Sequence, residues 1–312
     1  MIPTEYIWMN GEMIKWDDAK IHVCSHVVHY GSSVFEGMRV YKTDKGSVCF
    51  RLAEHSSRLL DSAKIYRMPM RWSAEEIDQA TLDIIGANNM EECYVRPVAY
   101  RGYGTLGVDP SKCPVDLAIA VWPWGNYLGD DALDKGVSVC VSSWNRIAPN
   151  TMPAMAKAGA NYMNSQLIKL EAISHGYVEG IALDIHGNVS EGSGENIFLV
   201  RNGALITPTF SASILPGITR RSVIKIATDL GFKVIEQNIP REALYLADEV
   251  FFTGSAAEIT PISQIDKIQI GAGKCGPITK RIQTALFDIL HGRSEDKYNW
   301  LTYVPEYKKV TA

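Results

Sequence analysis

Residues 149–162, PNTMPAMAKAGANY, hold a single charged side chain, Lys157, among small and neutral residues. Most lysines lie on solvated surfaces, often among other charges. A lysine flanked by alanine and glycine, with little room for water, should have a lowered pKa, because loss of solvent disfavours the ammonium form. The segment therefore predicts a nucleophilic amine with space beside it for a flat cofactor. Taken alone, it fits an exposed lysine in a loop of small residues equally well.

A second cluster, SEGSGEN at residues 190–196, places two acids, Glu191 and Glu195, in a glycine-rich turn just before a predicted strand. Glycine lets a backbone approach a ligand closely. A carboxylate in such a turn could hold a proton on a ring nitrogen of a cofactor. An ordinary turn explains these residues equally well.

Two further segments could bind an anion. LPGITR at residues 215–220 opens a predicted helix, and TGSAAE at residues 253–258 forms a strand-to-helix or strand-to-turn corner. Helix N-termini offer N–H groups and the positive end of a dipole to phosphate. Thr219 and Ser255 add hydroxyls to these segments. Taken singly, each segment is more often a simple cap.

Composition narrows the class of protein. A length of 312 residues predicts about two domains. The hydrophobic share of 46% and the charged share of 21% are ordinary globular values, and the net charge of -4 argues against a dedicated nucleic-acid binder. We expect no membrane span and no signal peptide, because no long apolar run and no basic start followed by an apolar stretch occur. Six scattered cysteines without a CxxC pair predict reduced thiols and a cytoplasmic location.

The order of predicted elements indicates an α+β or mixed α/β fold. Asn10-Gly11 and Asn202-Gly203 lie between short apolar runs and predict two-residue hairpin turns. Apolar residues recur at helical spacing over residues 163–173. GNYLGDDALDKG at residues 125–136 is polar, acidic and rich in glycine. We therefore predict a smaller N-terminal domain over residues 1–124, a linker over 125–136 and a larger C-terminal domain over 137–312.

Two motifs point to other functions, and we interpret both as structural. GYGTLG at residues 102–107 matches a dinucleotide fingerprint, but Pro110 and Pro114 argue against the helix that a nicotinamide-dependent oxidoreductase needs there. His22, Cys24, His26 and His29 could hold zinc, yet no second ligand pair has finger-like spacing. We therefore expect packing and hydrogen bonding from these side chains, and no metal.

Several ordered blocks together resemble one enzyme family, the branched-chain amino acid aminotransferases, which are fold-type IV pyridoxal-phosphate (PLP) enzymes. The resemblance covers nearly the whole chain, from YIWMNGEMIKWDDAKIHV to EDKYNWL. Besides the lysine segment, its most specific blocks are HYGSSVFEGMRVY, YVRPVAYRGYG, WPWGNYLG, VSEGSGENIF, LPGITR and DEVFFTGSAAEITP.

That resemblance implies a fold and a reaction. The fold would be a two-domain one like that of D-amino acid aminotransferase, with PLP in the interdomain cleft. The reaction would be a reversible ping-pong transamination between L-leucine, L-isoleucine or L-valine and 2-oxoglutarate, giving branched-chain 2-oxo acids and L-glutamate. Alternatives on the same fold are a D-amino acid or (R)-amine transaminase and a PLP lyase. A binding protein without chemistry is disfavoured, because Lys157, Glu191, Tyr162 and Arg58 are all present.

The resemblance also implies roles in binding the cofactor. Lys157 would carry PLP as a Schiff base and then shuttle the proton between the substrate Cα and the cofactor C4′. Glu191 would pair with the pyridine nitrogen, and Tyr162 would hydrogen-bond the phenolic oxygen. The phosphate would be held by side chains and by nearby N–H groups. The expected cofactor-binding residues are Arg58, Lys157, Tyr162, Glu191, Leu215, Ile218, Thr219 and Ser255, the last replacing a threonine common in the family.

The substrate pocket implied by the resemblance must accept an apolar side chain and the carboxylate of glutamate in the same place. An apolar wall would come from Phe35, Val108, Trp124 and Tyr127. Arg96 and Tyr30 would meet the distal carboxylate, whereas Tyr94 and the segment Gly254, Ser255 and Ala256 would take the α-carboxylate. In this family, Tyr30 and Val108 reach across from a neighbouring subunit. A homodimer is therefore expected, with a hexamer as a further form.

Overall fold

The computed structural model describes residues 2–125, 128–129 and 131–305, and these form two compact units. The first unit comprises the described residues of Met1–Gly125 and of Ile289–Ala312, together with Ala156–Ala160. The second comprises the described residues of Asn126–Met155 and Asn161–Asp288. This grouping differs from the predicted 137–312 domain, because two later segments join the first unit. In one of them, the Lys157 carbonyl accepts a hydrogen bond from the Phe35 N–H over 2.9 Å.

Helices lie between groups of strands along the described part of the chain. The strands are β1 (Tyr6–Met9), β2 (Glu12–Lys15), β3 (Ser33–Phe35), β4 (Met38–Thr43), β5 (Gly46–Phe50), β6 (Cys93–Arg101), β7 (Val115–Trp122), β8 (Val137–Val141), β9 (Glu179–Leu183), β10 (Val189–Gly192), β11 (Asn196–Arg201), β12 (Ala204–Thr207), β13 (Val234–Glu236), β14 (Glu249–Gly254), β15 (Glu258–Ile265), β16 (Ile268–Gln269) and β17 (Leu301–Tyr303). The helices are α1 (His26–Tyr30), α2 (Leu52–Ile65), α3 (Ala74–Ala87), α4 (Ala132–Lys135), α5 (Tyr162–Ser174), α6 (Ile218–Asp229) and α7 (Pro277–Leu290). None of these helices combines the length and apolar character needed to cross a membrane.

The first unit is built on an antiparallel sheet with the strand order β17-β5-β4-β6-β7-β1-β2, and β3 also pairs with β6. The predicted hairpin at Asn10-Gly11 is confirmed: it joins β1 and β2, and both residues have positive φ angles of 53° and 102°. Helices α2 and α3 place Leu59, Ile77 and Ile84 in the same fully buried core as the sheet. The second of the later segments in this unit contains β17, which pairs with β5. No local sequence signal predicted this strand.

The second unit is built on a mixed sheet with the order β10-β9-β8-β15-β14-β11-β12-β13, and β16 pairs with β15. Strand β8 runs parallel to both β9 and β15, whereas β14 runs antiparallel to both β11 and β15. The predicted hairpin at Asn202-Gly203 is confirmed between β11 and β12. The two sheets bear out the expected mixture of helices and strands, in the α+β or mixed α/β class.

Helix α5 forms where the apolar spacing predicted it, but the apolar stripe does not face the core. Met163, Leu170 and Ile173 are exposed by 62%, 62% and 55%. The buried face instead carries Ile168 and its neighbours. It packs closely on β9, where a Cβ on Gly180 would lie 2.8 Å from Ile168 Cγ2. The buried face of this helix thus packs closely on a glycine of β9, whereas the longer apolar stripe lies outward.

In the two motifs that suggested other functions, the structure shows a loop and a hydrogen-bonded histidine. No helix lies between Gly107 and Val115, all of which are described residues, so the GYGTLG segment lacks the helix that would hold a dinucleotide. Both ring nitrogens of His26 are hydrogen-bonded, Nδ1 to Ser32 Oγ over 2.7 Å and Nε2 to the Gly107 carbonyl over 2.9 Å.

Candidate active site

Lys157 is fixed in the first unit through its main chain. Its N–H donates to Ser62 Oγ over 3.0 Å, and its carbonyl accepts from the Phe35 N–H over 2.9 Å. The next residue, Ala158, forms a bridge with Val34 of β3. The side chain is half-buried, and Nζ lies 4.9 Å from the centroid of the Phe35 ring. The amine is therefore placed against an aromatic surface by an anchored backbone.

The same aromatic ring belongs to a cluster around Arg96. The guanidinium carbon lies 4.7 Å from the Phe35 ring centroid and 5.2 Å from that of Tyr94. The Tyr94 ring in turn stacks on Trp124 with a centroid distance of 4.5 Å. Arg96 Nε is buried and has no hydrogen-bond partner among the described residues. Four of the predicted substrate residues thus meet in one place, where the Arg96 guanidinium lies against an apolar, aromatic wall.

Tyr94 also depends on a glycine that the site prediction did not name. A Cβ on Gly37 would lie only 1.9 Å from the Tyr94 hydroxyl oxygen. That hydroxyl accepts a hydrogen bond from Arg96 Nη2 over 3.3 Å. Any side chain at position 37 would therefore displace Tyr94 from Arg96.

Arg58, predicted to hold phosphate, is buried on α2 and bound by a second residue that sequence reasoning missed. Glu36 is fully buried and accepts from Arg58 Nε over 2.7 Å and from Arg58 Nη2 over 2.8 Å. His55 Nδ1 lies 2.6 Å from Glu36 Oε2. Burial alone would raise the pKa of Glu36, but Arg58 and then His55 outweigh it and hold that pKa well below its ordinary value.

In the second unit, Glu191 accepts three hydrogen bonds that hold its carboxylate in place. Arg146 Nη2 lies 2.9 Å from Oε1, whereas Asn196 Nδ2 and the Leu215 N–H donate to Oε2 over 3.0 Å and 2.9 Å. The Leu215 N–H, expected at the cofactor, is thus used to position Glu191. Arg146 and Asn196 are further residues that the site prediction missed. A carboxylate held in this way, with a buried cation beside it, suits an N–H donor such as a protonated pyridine nitrogen.

The predicted anion site at the start of α6 belongs to the same network. Asn196 Nδ2 also donates to the Leu215 carbonyl over 3.0 Å, and a Cβ on Gly217 would lie 1.9 Å from Asn196 Oδ1. Gly217 is the N-cap residue of α6 and supplies no side-chain cap, and Ile218 and Thr219 are buried in its first turn. Backbone N–H groups, a hydroxyl and the positive end of a helix dipole are what a phosphate needs. The acid and the anion site together fit a phosphorylated pyridine.

The remaining predicted residues of the second unit lie at two other positions. Residues 255–257 form the turn between β14 and β15, so Ser255 and Ala256 lie at a strand-to-strand corner and not at a helix start. A Cβ on Gly254 would lie 3.9 Å from Glu195 Cγ, which places this turn beside the second acid of the SEGSGEN segment. Tyr162 is the first residue of α5 and is half-buried.

Glu195 differs sharply from Glu191. Its Oε2 accepts from the Gly194 N–H over 3.0 Å, but its buried Oε1 has no partner among the described residues. Burial, reinforced by repulsion from Glu179, raises the pKa of Glu195 to about 8. Glu195 is therefore a protonated acid at neutral pH.

The residues expected to act across subunits lie on the surface of the first unit. Tyr30 is 45% exposed and Val108 is 89% exposed. Tyr30 stacks on His26 with a centroid distance of 4.4 Å, and His26 binds the Gly107 carbonyl. One histidine thus links Tyr30 to the loop that carries Val108. Tyr127 lies outside the described residues.

Comparisons with known proteins find relatives that match over nearly the whole chain. The profile of the class IV amino-transferase family matches residues 33–265. A branched-chain-amino-acid aminotransferase of Salmonella typhimurium is 56% identical over 299 residues, which cover 96% of this chain and 97% of that protein. The crystal structure of the Escherichia coli branched-chain amino acid aminotransferase superimposes with a TM-score of 0.95 at 55% identity, covering 97% of this chain and 100% of that one. The enzyme from Thermobaculum terrenum in its PLP form gives a TM-score of 0.90 at 37% identity, with 97% and 99% covered.

Proposed function

Because the chain belongs to the class IV aminotransferases, as a branched-chain-amino-acid aminotransferase that works with pyridoxal phosphate, we propose that 2-oxoglutarate is its co-substrate. The amino group of leucine, isoleucine or valine would pass to the cofactor in one half-reaction and to 2-oxoglutarate in the other. The products are the branched-chain 2-oxo acid and glutamate, and the exchange follows ping-pong kinetics.

The cluster around Lys157 carries this proposal. The amine lies 4.9 Å from the ring of Phe35, and the same ring packs against the Arg96 guanidinium at 4.7 Å. An apolar branched side chain can contact the rings of Phe35, Tyr94 and Trp124. The distal carboxylate of glutamate can instead pair with Arg96, whose buried Nε has no partner among the described residues. One wall can therefore accept both kinds of side chain in turn.

We assign the chemical steps to three residues. PLP, when bound, supplies the electron sink that stabilises negative charge at the substrate Cα. Lys157 Nζ would hold the cofactor until the substrate amine displaces it, and the freed Lys157 amine would then take the proton from the substrate Cα and return it at the cofactor C4′. The Glu191 carboxylate accepts the hydrogen bond of the protonated pyridine nitrogen, and Arg146 stabilises that carboxylate in its charged form. Tyr162 donates to the phenolic oxygen.

The binding groups divide between the phosphate and the substrate carboxylate. Arg58, the N–H groups of the first turn of α6 and the hydroxyls of Thr219 and Ser255 bind the phosphate. The N–H groups of Ser255 and Ala256, with the Tyr94 hydroxyl, bind the α-carboxylate. Gly254 keeps the turn before Ser255 free of a side chain. Leu215 contributes indirectly, because its N–H is bonded to Glu191.

A homodimer is part of the same proposal. Exposed apolar patches on a folded domain mark interaction surfaces. Such residues cluster where Ser25 bridges Tyr103 and His26 binds the Gly107 carbonyl. The exposed apolar side chains of this surface are Ile21, Val23, Val28, Tyr30, Tyr103, Leu106 and Val108. A second copy related by a twofold axis would cover the same patch on both subunits and would receive Tyr30 and Val108 at its own site.

A location in the cytoplasm completes the proposal. All six cysteines lie in the described part of the chain and carry free thiols, as expected of a reducing compartment. Fractionation of the source cells should recover the protein with cytoplasmic markers; recovery with an oxidising compartment would contradict this.

Visible absorption of the holoenzyme tests the reaction. L-leucine should bleach the yellow band of the lysine-bound cofactor, and 2-oxoglutarate should restore it. D-alanine and an (R)-amine serve as matched controls that should leave the band unchanged. A band that responds to D-alanine but not to leucine would contradict the proposed substrates. Lys157→Ala should remove the band and lower turnover by more than about a thousandfold, the size expected when a nucleophile and proton carrier is lost.

Mixed dimers test the contribution of the second subunit. Lys157→Ala and Val108→Arg subunits should each be inactive as homodimers. A mixed dimer should regain activity, because one of its two sites combines an intact Lys157 with an intact Val108 from the neighbour. No regain in dimers verified by mass would show that Val108 acts within its own subunit. The same mass measurement decides between a dimer and a hexamer, in which the exposed face of α5 would form a second contact.

A further inference from the structure

We propose that Glu36 is a positioning residue for the cofactor phosphate, acting through Arg58. This inference rests on the proposed role of Arg58 in phosphate binding. It assigns to Glu36 no contact with the cofactor itself. Glu36 instead fixes the plane in which the Arg58 guanidinium presents its other N–H groups.

The geometry of the pair is that of a rigid clamp. Both Glu36 oxygens accept from Arg58, Oε1 from Nε over 2.7 Å and Oε2 from Nη2 over 2.8 Å. Two parallel bonds to a planar guanidinium define its orientation as well as its position. The glutamate is fully buried and Arg58 is 8% exposed, so water competes little for these bonds. Without these two bonds, the Arg58 side chain could adopt several rotamers.

Glu36 is itself held from two sides. Its main-chain N–H donates to the Pro97 carbonyl over 2.9 Å, which ties it to β6. His55 on α2 contacts Oε2 over 2.6 Å. Burial lowers the pKa of His55 although Glu36 opposes this shift, and the ring Nδ1–H donates to the carboxylate. Glu36 is therefore fixed by strand β6 on one side and by His55 of helix α2 on the other.

The same helix face also holds the lysine segment. His55, Arg58 and Ser62 are spaced by three and four residues and so share one face of α2. Ser62 Oγ accepts from the Lys157 N–H over 3.0 Å. Glu36 follows Phe35, whose N–H binds the Lys157 carbonyl. Locking Arg58 onto Glu36 therefore sets the arginine relative to the lysine that carries the cofactor.

The substitution Glu36→Gln tests the orientation of the Arg58 guanidinium, because glutamine has nearly the same size as glutamate. One half of the glutamine amide is an NH2 group, which cannot accept from Arg58, so one of the two parallel bonds is lost. Loss of the negative charge would, by itself, leave Arg58 more attractive to phosphate. A positioning role predicts weaker binding of the phosphate despite this charge effect, whereas a purely electrostatic role predicts tighter binding.

Titration of full-length apoprotein with PLP and with pyridoxal provides the test, because pyridoxal forms the same bond to Lys157 but has no phosphate. Glu36→Gln should weaken PLP binding by about tenfold to a hundredfold, the range for a hydrogen bond to a charged group. Pyridoxal affinity should stay within about twofold. Glu36→Asp should weaken PLP binding by a smaller factor, which keeps the test available if the glutamine variant does not fold. Glu54→Gln is the matched control, since Glu54 pairs with Arg51 on the rim of the same helix.

The double variant decides whether Glu36 acts through Arg58. Arg58→Ala should weaken PLP binding, and adding Glu36→Gln should cause no further loss. Additive losses, an equal loss of pyridoxal affinity, or tighter PLP binding by Glu36→Gln would each overturn the inference. If Arg58→Ala leaves PLP affinity unchanged, the proposed phosphate role of Arg58 fails first. Unchanged affinity in Glu36→Gln beside a weakened Arg58→Ala would overturn the inference about Glu36 alone.

Discussion

Two buried glutamates, one in each unit, meet opposite surroundings. Glu36 is 0% exposed and Glu195 is 3% exposed, so burial alone would disfavour the charge on either one. Glu36 has Arg58 and His55 within hydrogen-bonding distance, and its pKa lies well below the ordinary value. Glu195 has Glu179 and Glu191 as neighbouring acids, and its pKa is raised to about 8. The partners, and not the depth of burial, decide whether a buried acid carries charge.

Lys169 shows why little positive charge is available to Glu195 in the second unit. Its charge lowers the pKa of Glu195, but it is bound to Glu179 over 2.8 Å. Arg146, in turn, is bound to Glu191. Lys169 and Arg146 are thus each paired with an acid other than Glu195. A proton remains on Glu195 because no positive side chain is left for it in this network.

The largest expected effect on the free energy of unfolding comes from breaking the ion pair between Glu36 and Arg58. Glu36→Met leaves Arg58 buried without its carboxylate and should lower the free energy of unfolding by about 3–5 kcal/mol. Urea denaturation of the apoprotein measures this. The double variant Glu36→Met with Arg58→Met should recover most of the loss, because two apolar side chains need no partner. A single variant that costs less than about 1 kcal/mol would show that the pair behaves like one on the surface.

The next effect concerns Glu195 and depends on pH. The folded protein keeps the Glu195 proton up to about pH 8, whereas the unfolded chain releases it near the ordinary value of 4.5. Between these values the folded state binds more protons, so the free energy of unfolding falls as pH rises. The slope from this group is up to about 1.4 kcal/mol per pH unit.

Glu195→Gln should remove that slope, because glutamine keeps the shape of the neutral acid and does not titrate. Denaturant unfolding at pH 5 and pH 8 should show the variant gaining about 2–4 kcal/mol relative to the unchanged protein at the higher pH. The two proteins should have similar stability at pH 5. A variant that gains nothing at pH 8 would show that Glu195 is charged there, like Glu36.

A smaller effect is expected from removing Lys169, whose charge lowers the pKa of Glu195. Lys169 is 29% exposed, so water partly replaces it when Lys169→Met leaves Glu179 without its partner. The free energy of unfolding should fall by about 1–3 kcal/mol at neutral pH. The pKa of Glu195 should rise further, because Lys169 lowers it. Adding Glu195→Gln should be additive at neutral pH, because Glu195 is already uncharged there, and should relieve part of the loss only above about pH 8, where its carboxylate forms; a strictly additive double variant at that higher pH would argue that the acids do not interact.

Local signals were sufficient for the two Asn-Gly hairpins and for helix α5. Asn10-Gly11 has the backbone preference of a tight turn whatever surrounds it. The ion pairs were not predictable in the same way. Glu36 meets Arg58, and Arg146 meets Glu191, across long stretches of chain. A single sequence contains many acids and bases and no signal for which of them will pair.

Two further features of the fold were beyond the sequence for related reasons. Ala156–Ala160 groups with the first unit because its backbone bonds to Phe35 and to Ser62, and backbone bonding leaves no trace in side-chain composition. The apolar stripe of α5 predicted a helix but faces outward. Periodicity predicts that a helix has an apolar face, but it does not tell which face packs on the sheet, and here the face with Ile168 packs on Gly180.

The smallest expected effect comes from the pair Arg51–Glu54, which has the same chemistry as Arg58–Glu36 but is less buried. Glu54 binds Arg51 Nη2 over 2.7 Å, as closely as Glu36 binds Arg58, but the Glu54 side chain is 37% exposed. Glu54→Gln should change the free energy of unfolding by less than about 1 kcal/mol, because water replaces what the substitution removes. Raising the salt concentration should shrink even this difference, whereas it should leave the cost of Glu36→Met nearly unchanged. Equal costs at both positions would mean that the distance between the charges, and not their access to water, sets the strength of an ion pair on this helix.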